Sequence, residues 1–190
     1  MAKELLGPLV YKVYCLASMI WRLVQSERNR GRAFQPSFAG SEIFASWVGG
    51  LIAISSLGLI SGVSHYPLVV APFGASTMLL FGHPNSPMAQ PRNIVLGNTL
   101  AALVNSACVA WLGHTFWVMG LAVGLTITLG QLFRCLHPPS GGVALLGVLL
   151  KVNPGFVVNP VLVGSILLVL MAVLYHRFRP STTIYPHHWL

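Results

Sequence analysis

From its N-terminus the chain alternates long apolar runs with short polar interruptions. Over residues 1–26, Glu4, Pro8, Tyr11, Cys15, Ser18, Arg22 and Gln25 recur at three-four spacing, and Lys12 joins that stripe. Leu5, Leu9, Val13, Leu16, Ile20 and Leu23 hold the opposite face. The periodicity predicts an amphipathic helix lying in a membrane interface. A spanning helix is the alternative, and it would place Lys12 inside the bilayer. A basic linker over 27–32 and a loop to Gly40 follow. Four apolar runs, near 43–64, 93–113, 115–133 and 160–175, then approach the ~20 residues that cross a hydrocarbon core of about 30 Å.

Two shorter apolar pieces, 66–82 and 136–150, lie between these runs, and each is broken by proline: Pro67 and Pro72 in the first, Pro138 and Pro139 in the second. Pro72-Phe73-Gly74-Ala75-Ser76-Thr77-Met78-Leu79-Leu80 lies over Pro138-Pro139-Ser140-Gly141-Gly142-Val143-Ala144-Leu145-Leu146, 66 residues later. Each piece leads through a Pro/Asn-rich loop, ending in Gln90-Pro91 or Asn159-Pro160, to another long run. The chain therefore reads as two copies of span, broken segment, span. Weak repeats with matching broken helices are a transporter pattern. Residues 74–82 as a helix cover about 14 Å, half a bilayer.

Composition and charge sharpen this picture. Only 7% of the 190 residues are charged, eleven Lys/Arg against three acidic residues, while 55% are hydrophobic. Such a chain cannot cover a globule with polar surface, so a soluble monomer is excluded, as is disorder. The net charge of +8 does not point to nucleic acid, because the basic residues sit at the ends of apolar runs. If both broken pieces cross the membrane, ten of the eleven basic residues fall on the side of the N-terminus and only Lys151 on the other. Crossing is thus favoured over re-entry, and three crossings per copy invert the second copy. The expected fold is an all-α polytopic membrane protein of about six segments, two inverted three-segment repeats after an interfacial helix. It divides into residues 1–40, a transport domain over 41–180, and a polar tail over 181–190, with both termini cytoplasmic.

Two half-helices starting near the midplane suggest chemistry. A helix N-terminus carries unpaired N–H groups and about half a positive charge, so two that meet make a site for a small anion without a buried Lys or Arg. Gly74, Ala75, Ser76 and Thr77 in one, and Ser140, Gly141 and Gly142 in the other, supply small residues and hydroxyls. The alternative is that Gly and Ser only let helices pack closely. After Glu42 no acidic residue remains in any span, which disfavours a carboxylate relay or oxygen-ligand cation cage. Asn98 and Gln131 either face the solute or join helices; Asn105 and Thr126 are expected to join helices. His137, just before the double proline, either attracts the anion or hydrogen-bonds a carbonyl freed by the break. Arg92 and Arg134 set topology or line a vestibule. Cys15, Cys108 and Cys135 form no CxxC pair, and no metal site or cofactor is expected.

His137-Pro138-Pro139-Ser140-Gly141-Gly142, with Pro72-Phe73-Gly74-Ala75-Ser76 and Ala89-Gln90-Pro91-Arg92-Asn93, resembles the HPP family of integral membrane proteins over roughly residues 40–180. Asn98 departs from the histidine expected in many relatives. The resemblance implies transport, since cyanobacterial and chloroplast members are associated with moving nitrite. The ending 185–190 is similar to cyanobacterial ones, and no transit peptide is legible at the N-terminus, so a bacterial inner membrane is expected. The expected partners are nitrite, lipid and further copies of the chain in a homo-oligomer. The competing readings are a cofactor-binding or enzymatic subunit using His65, His83, His114 and His137, and a non-transporting assembly subunit.

Overall fold

The computed structural model describes residues 8–179 and 184–189, and within these it is all helical. Two compact units divide the chain, Met1–Gly40 and Ser41–Leu190. The first holds α1, Pro8–Phe34. The segment 27–32, expected to be a linker, is helical. Arg and Glu propagate a helix well, and Arg30 pairs with Glu27 one turn back at 3.0 Å. Residues 1–7 of the expected interfacial helix lie outside the described residues, as do residue 180 and residues 181–183 and 190 of the expected tail.

The second unit contains six α-helices among its described residues: α2, Gly40–Ser64; α3, Pro72–Thr77, continued by a π-helical turn Met78–Gly82; α4, Pro91–Leu112; α5, Phe116–Leu132; α6, Pro138–Leu149; and α7, Val163–Phe178. A 3₁₀ turn, Pro154–Val157, and a π turn, Val158–Leu162, lead into α7. Proline occupies the first positions of α3, α4 and α6, where the missing N–H costs nothing and the fixed φ suits a helix. Three stretches, Gly40–Ser64, Pro91–Leu112 and Pro154–Phe178, are long and apolar enough to cross a membrane. The expected span near 115–133 is the shorter α5 of 17 residues, about 26 Å at the helical rise.

The half-helices sit in separate packing clusters. Phe73, Leu80 and Phe81 of α3 pack with Ala53 and Leu57 of α2 and with Leu168 and Ala172 of α7. Val143, Ala144 and Val148 of α6 pack with Val118 and Ala122 of α5 and with Ala101 and Val104 of α4. Each half-helix is thereby enclosed by the helix before it and by one other helix, α7 for α3 and α4 for α6. Close approach, not hydrophobic transfer, drives such packing in lipid. Two glycines make the interlock possible. A Cβ on Gly97 of α4 would stand 2.7 Å from the Cys135 carbonyl oxygen, and one on Gly164 of α7 would stand 2.9 Å from the Leu68 carbonyl oxygen.

Candidate functional site

The two half-helices meet at their N-terminal ends. His137, the residue capping α6, is almost wholly buried, and its ring joins the break before α6 to α3 and to the loop that follows α3. Nδ1 lies 2.9 Å from the Met88 carbonyl oxygen and Nε2 lies 2.8 Å from the Ser76 hydroxyl of α3. A carbonyl only accepts, so Nδ1 carries the proton, and in the neutral ring Nε2 accepts from Ser76. The reciprocal contact is steric: a Cβ on Gly142 of α6 would stand 3.2 Å from the Pro72 ring at the start of α3. Each helix thus presents its second turn to the other's first residues.

The amides at this junction are nearly all committed. Pro138 and Pro139 bring no N–H, and the Ser140 N–H donates to the His137 carbonyl at 2.9 Å, as does its hydroxyl at 2.6 Å. In α3 the Phe73 and Gly74 amides donate to Val70 and Ala71 carbonyls at 2.9 and 3.1 Å. The positive end of each helix survives as a dipole, not as a fan of free donors. Gly74, Ala75 and Gly142 are exposed, Gly141 is half-buried, and Ser76, Thr77 and Ser140 are buried. Thr77 spends its hydroxyl on the Phe73 carbonyl at 2.7 Å. A cavity of about 380 Å³ opens beside the α6 end, lined by His137, Ser140 and Gly141 and by Thr126 of α5.

The other expected residues lie apart. Asn98 is fully buried where α4 crosses α7; its Nδ2 donates to Ser165 at 3.1 Å, and its Oδ1 is buried without a partner. Gln131 and Arg134 are exposed near the end of α5. Arg92 is half-buried and donates to the Phe133 carbonyl at 3.1 Å. Asn105 donates to the Val143 carbonyl at 3.0 Å, and Thr126 to the Ala122 carbonyl at 2.8 Å. Asn105 thus joins α4 to α6 as expected, whereas Thr126 bonds within α5 and joins no second helix.

Residues of the motif 89–93 to which the sequence pattern assigned no role hold the break before α6 and the loop after α3 in place. Asn93 donates to the Leu136 carbonyl at 2.8 Å, just before the double proline. Gln90, buried, donates to the Pro84 and Ser86 carbonyls at 3.0 Å each. The end of the chain fastens the same loop: Tyr185 donates to the Ala89 carbonyl at 2.9 Å and the His187 amide to Gln90 Oε1 at 2.9 Å. Burial pushes the Tyr185 phenol up from its ordinary value, so it is a donor at neutral pH.

The family described as HPP, transmembrane region, matches residues 35–186. The chain belongs to the HPP family. Two transmembrane proteins of Dictyostelium discoideum are similar to it, one 31% identical over 93% of this chain and the other 35% identical over 78%. The chain spans 66% and 51% of their respective lengths. Both are named only as transmembrane proteins, and no solved structure matches the chain significantly. The His-Pro-Pro triplet that gives the HPP family its name is thus, in this member, the joint between two half-helices. Its histidine spends both ring nitrogens on the protein, leaving none for a metal. Among the described residues no three His, Cys, Asp or Glu side chains come together.

Proposed function

We propose that this HPP-family protein passes a small monovalent anion, nitrite in the first instance, across the membrane at the junction of α3 and α6. The observation that carries the reading is the head-to-head meeting of two half-helices, through Ser76 and His137 and through Pro72 and Gly142. Their dipoles give that point a positive potential without a buried cation. The anion meets the two dipole ends and the exposed backbone around Gly142. Nitrite suits such a site because a small, singly charged ion is cheaper to dehydrate than a multivalent one.

An inverted repeat with six crossings is part of the proposal, and the contacts support it. Asn98 and Ser165, 67 residues apart, hydrogen-bond to each other. Gly97 and Gly164 share that offset, and so do the carbonyls they approach, those of Leu68 and Cys135. Copies related by a two-fold exchange contacts in this reciprocal way. The Asn98–Ser165 pair then marks the axis. A homo-oligomer, cytoplasmic termini and a bacterial inner membrane complete the proposal. Proteoliposomes containing the purified chain are expected to take up nitrite down its gradient, and chloride or sulfate more slowly. Vesicles no faster than empty liposomes for nitrite would sink this reading.

A further inference from the structure

Arg92 is a half-buried charged side chain that the junction does not use. Its guanidinium donates to the Phe133 carbonyl, and its Nε is buried with no acceptor from the chain. A guanidinium has five N–H donors and no acceptor, so this one calls for a further anionic or carbonyl partner. Two apolar grooves diverge from it along α4. One, of about 320 Å³, runs over Thr99, Leu100, Leu103 and Phe133; the other, of about 240 Å³, runs over Val95, Ile166 and Leu170 to Trp189. Leu96 belongs to both walls and stands between them as a half-exposed ridge. Trp189 at the mouth of the second groove has the amphipathic ring that sits at headgroup level. Arg134, exposed in the turn after Phe133, adds positive charge to the same end.

We propose that Arg92 and these grooves bind one anionic diacyl phospholipid, its phosphate on the guanidinium and its two acyl chains on either side of Leu96. One cation with two diverging apolar channels matches that ligand feature for feature. A free phosphate would use only the cation, and a zwitterionic lipid brings a choline or ethanolamine charge that the Arg92–Arg134 end repels. The charge balance of the chain, +8 overall, favours the anionic leaflet lipids.

The test is lipid binding by the full-length protein in detergent, read by native mass spectrometry and by thermal melting. Phosphatidylglycerol is expected to stay bound and to raise the melting temperature, while phosphatidylcholine and glycerol phosphate alone do neither. Arg92→Gln is expected to weaken retention of phosphatidylglycerol at least fivefold. Leu103→Trp fills the larger groove without touching the cation and is expected to weaken it too; it carries the test alone if Arg92→Gln does not fold. Equal binding of the two lipids, or unchanged retention in both variants, overturns the site. So does stabilisation by glycerol phosphate equal to that by the lipid, which would mean a free-phosphate site. Conversion of a dimer to a monomer by Leu103→Trp, with no lipid effect, would assign the groove to a second copy.

Discussion

The two half-helices begin alike and end differently. At their N-termini each puts its second turn against the other's first residues, and each is crossed by a glycine of a long helix. At their C-termini the likeness stops. The last turn of α3 opens into a π-helical turn, and its Leu80 and Phe81 carbonyls accept from His176 of α7 at 2.9 Å and from Ser46 of α2 at 2.6 Å. The helix α6 stays regular over twelve residues and is held at mid-length by Asn105 on the Val143 carbonyl. Helix ends leave carbonyls that lipid cannot satisfy; α3 meets that demand with side chains of α2 and α7, and α6 with the backbone amides of Leu150, Lys151 and Val152, which donate to the Leu146, Val148 and Gly147 carbonyls. The lesson is that reciprocity is kept where the ends meet and relaxed away from that point.

The strongest way to break the comparison is at the crossing glycines. Gly97→Val and Gly164→Val each drive a side chain into a backbone carbonyl, at which flexible side chains cannot yield. Each is expected to cost about 3 kcal/mol of stability, measured by thermal unfolding in detergent, and the two losses should be similar. A large loss from one with none from the other would end the idea of equivalent crossings. Next comes His137→Ala, which leaves the Met88 carbonyl unpaired and the buried Ser76 hydroxyl with only its long 3.4 Å bond to the Pro72 carbonyl. A loss of about 2 kcal/mol is expected, together with a nitrite flux reduced more than stability alone explains. The smallest effect belongs to the unmatched caps. His176→Phe keeps the stacking position beside Phe81, centroids 5.8 Å apart, but orphans the Leu80 carbonyl, at about 1 kcal/mol. Flux at the junction should hardly change, and a flux loss as large as that of His137→Ala would contradict the separation of anchors from site.

Much of this architecture is legible in the order of residues. Apolar run lengths locate the long helices, and prolines locate both breaks, because hydropathy and the missing N–H are local properties. The Ser76–His137 bond is not legible, since its partners are 61 residues apart and only packing joins them. Asn93 and Gln90 stand in the motif 89–93, but their role is not legible because their partners are backbone carbonyls of the break before α6 and of the loop after α3; an amide side chain beside a proline is the available signal. The crossing is not reached by extending the repeat at its 66-residue offset, because Leu96-Gly97-Asn98 and Val163-Gly164-Ser165 stand 67 residues apart, one residue out of register. The run 27–32 misleads because a dense row of charges resembles a linker, while its Glu and Arg are good helix formers. Gln131 falls outside the junction because, one residue before the end of α5, its side chain is exposed.

The central claim is that the anion passes where the two half-helix ends meet. It is tested most directly by nitrite flux into proteoliposomes for two glycine variants of that face. Gly142→Val wedges the contact with Pro72, whereas the space around Gly74 is open and Gly74→Ala meets nothing within 4 Å. With equal amounts of folded protein, Gly142→Val is expected to lose at least tenfold in flux and Gly74→Ala to stay within about twofold of the parent. A Gly142→Val protein that folds and carries nitrite at the parental rate would contradict the account.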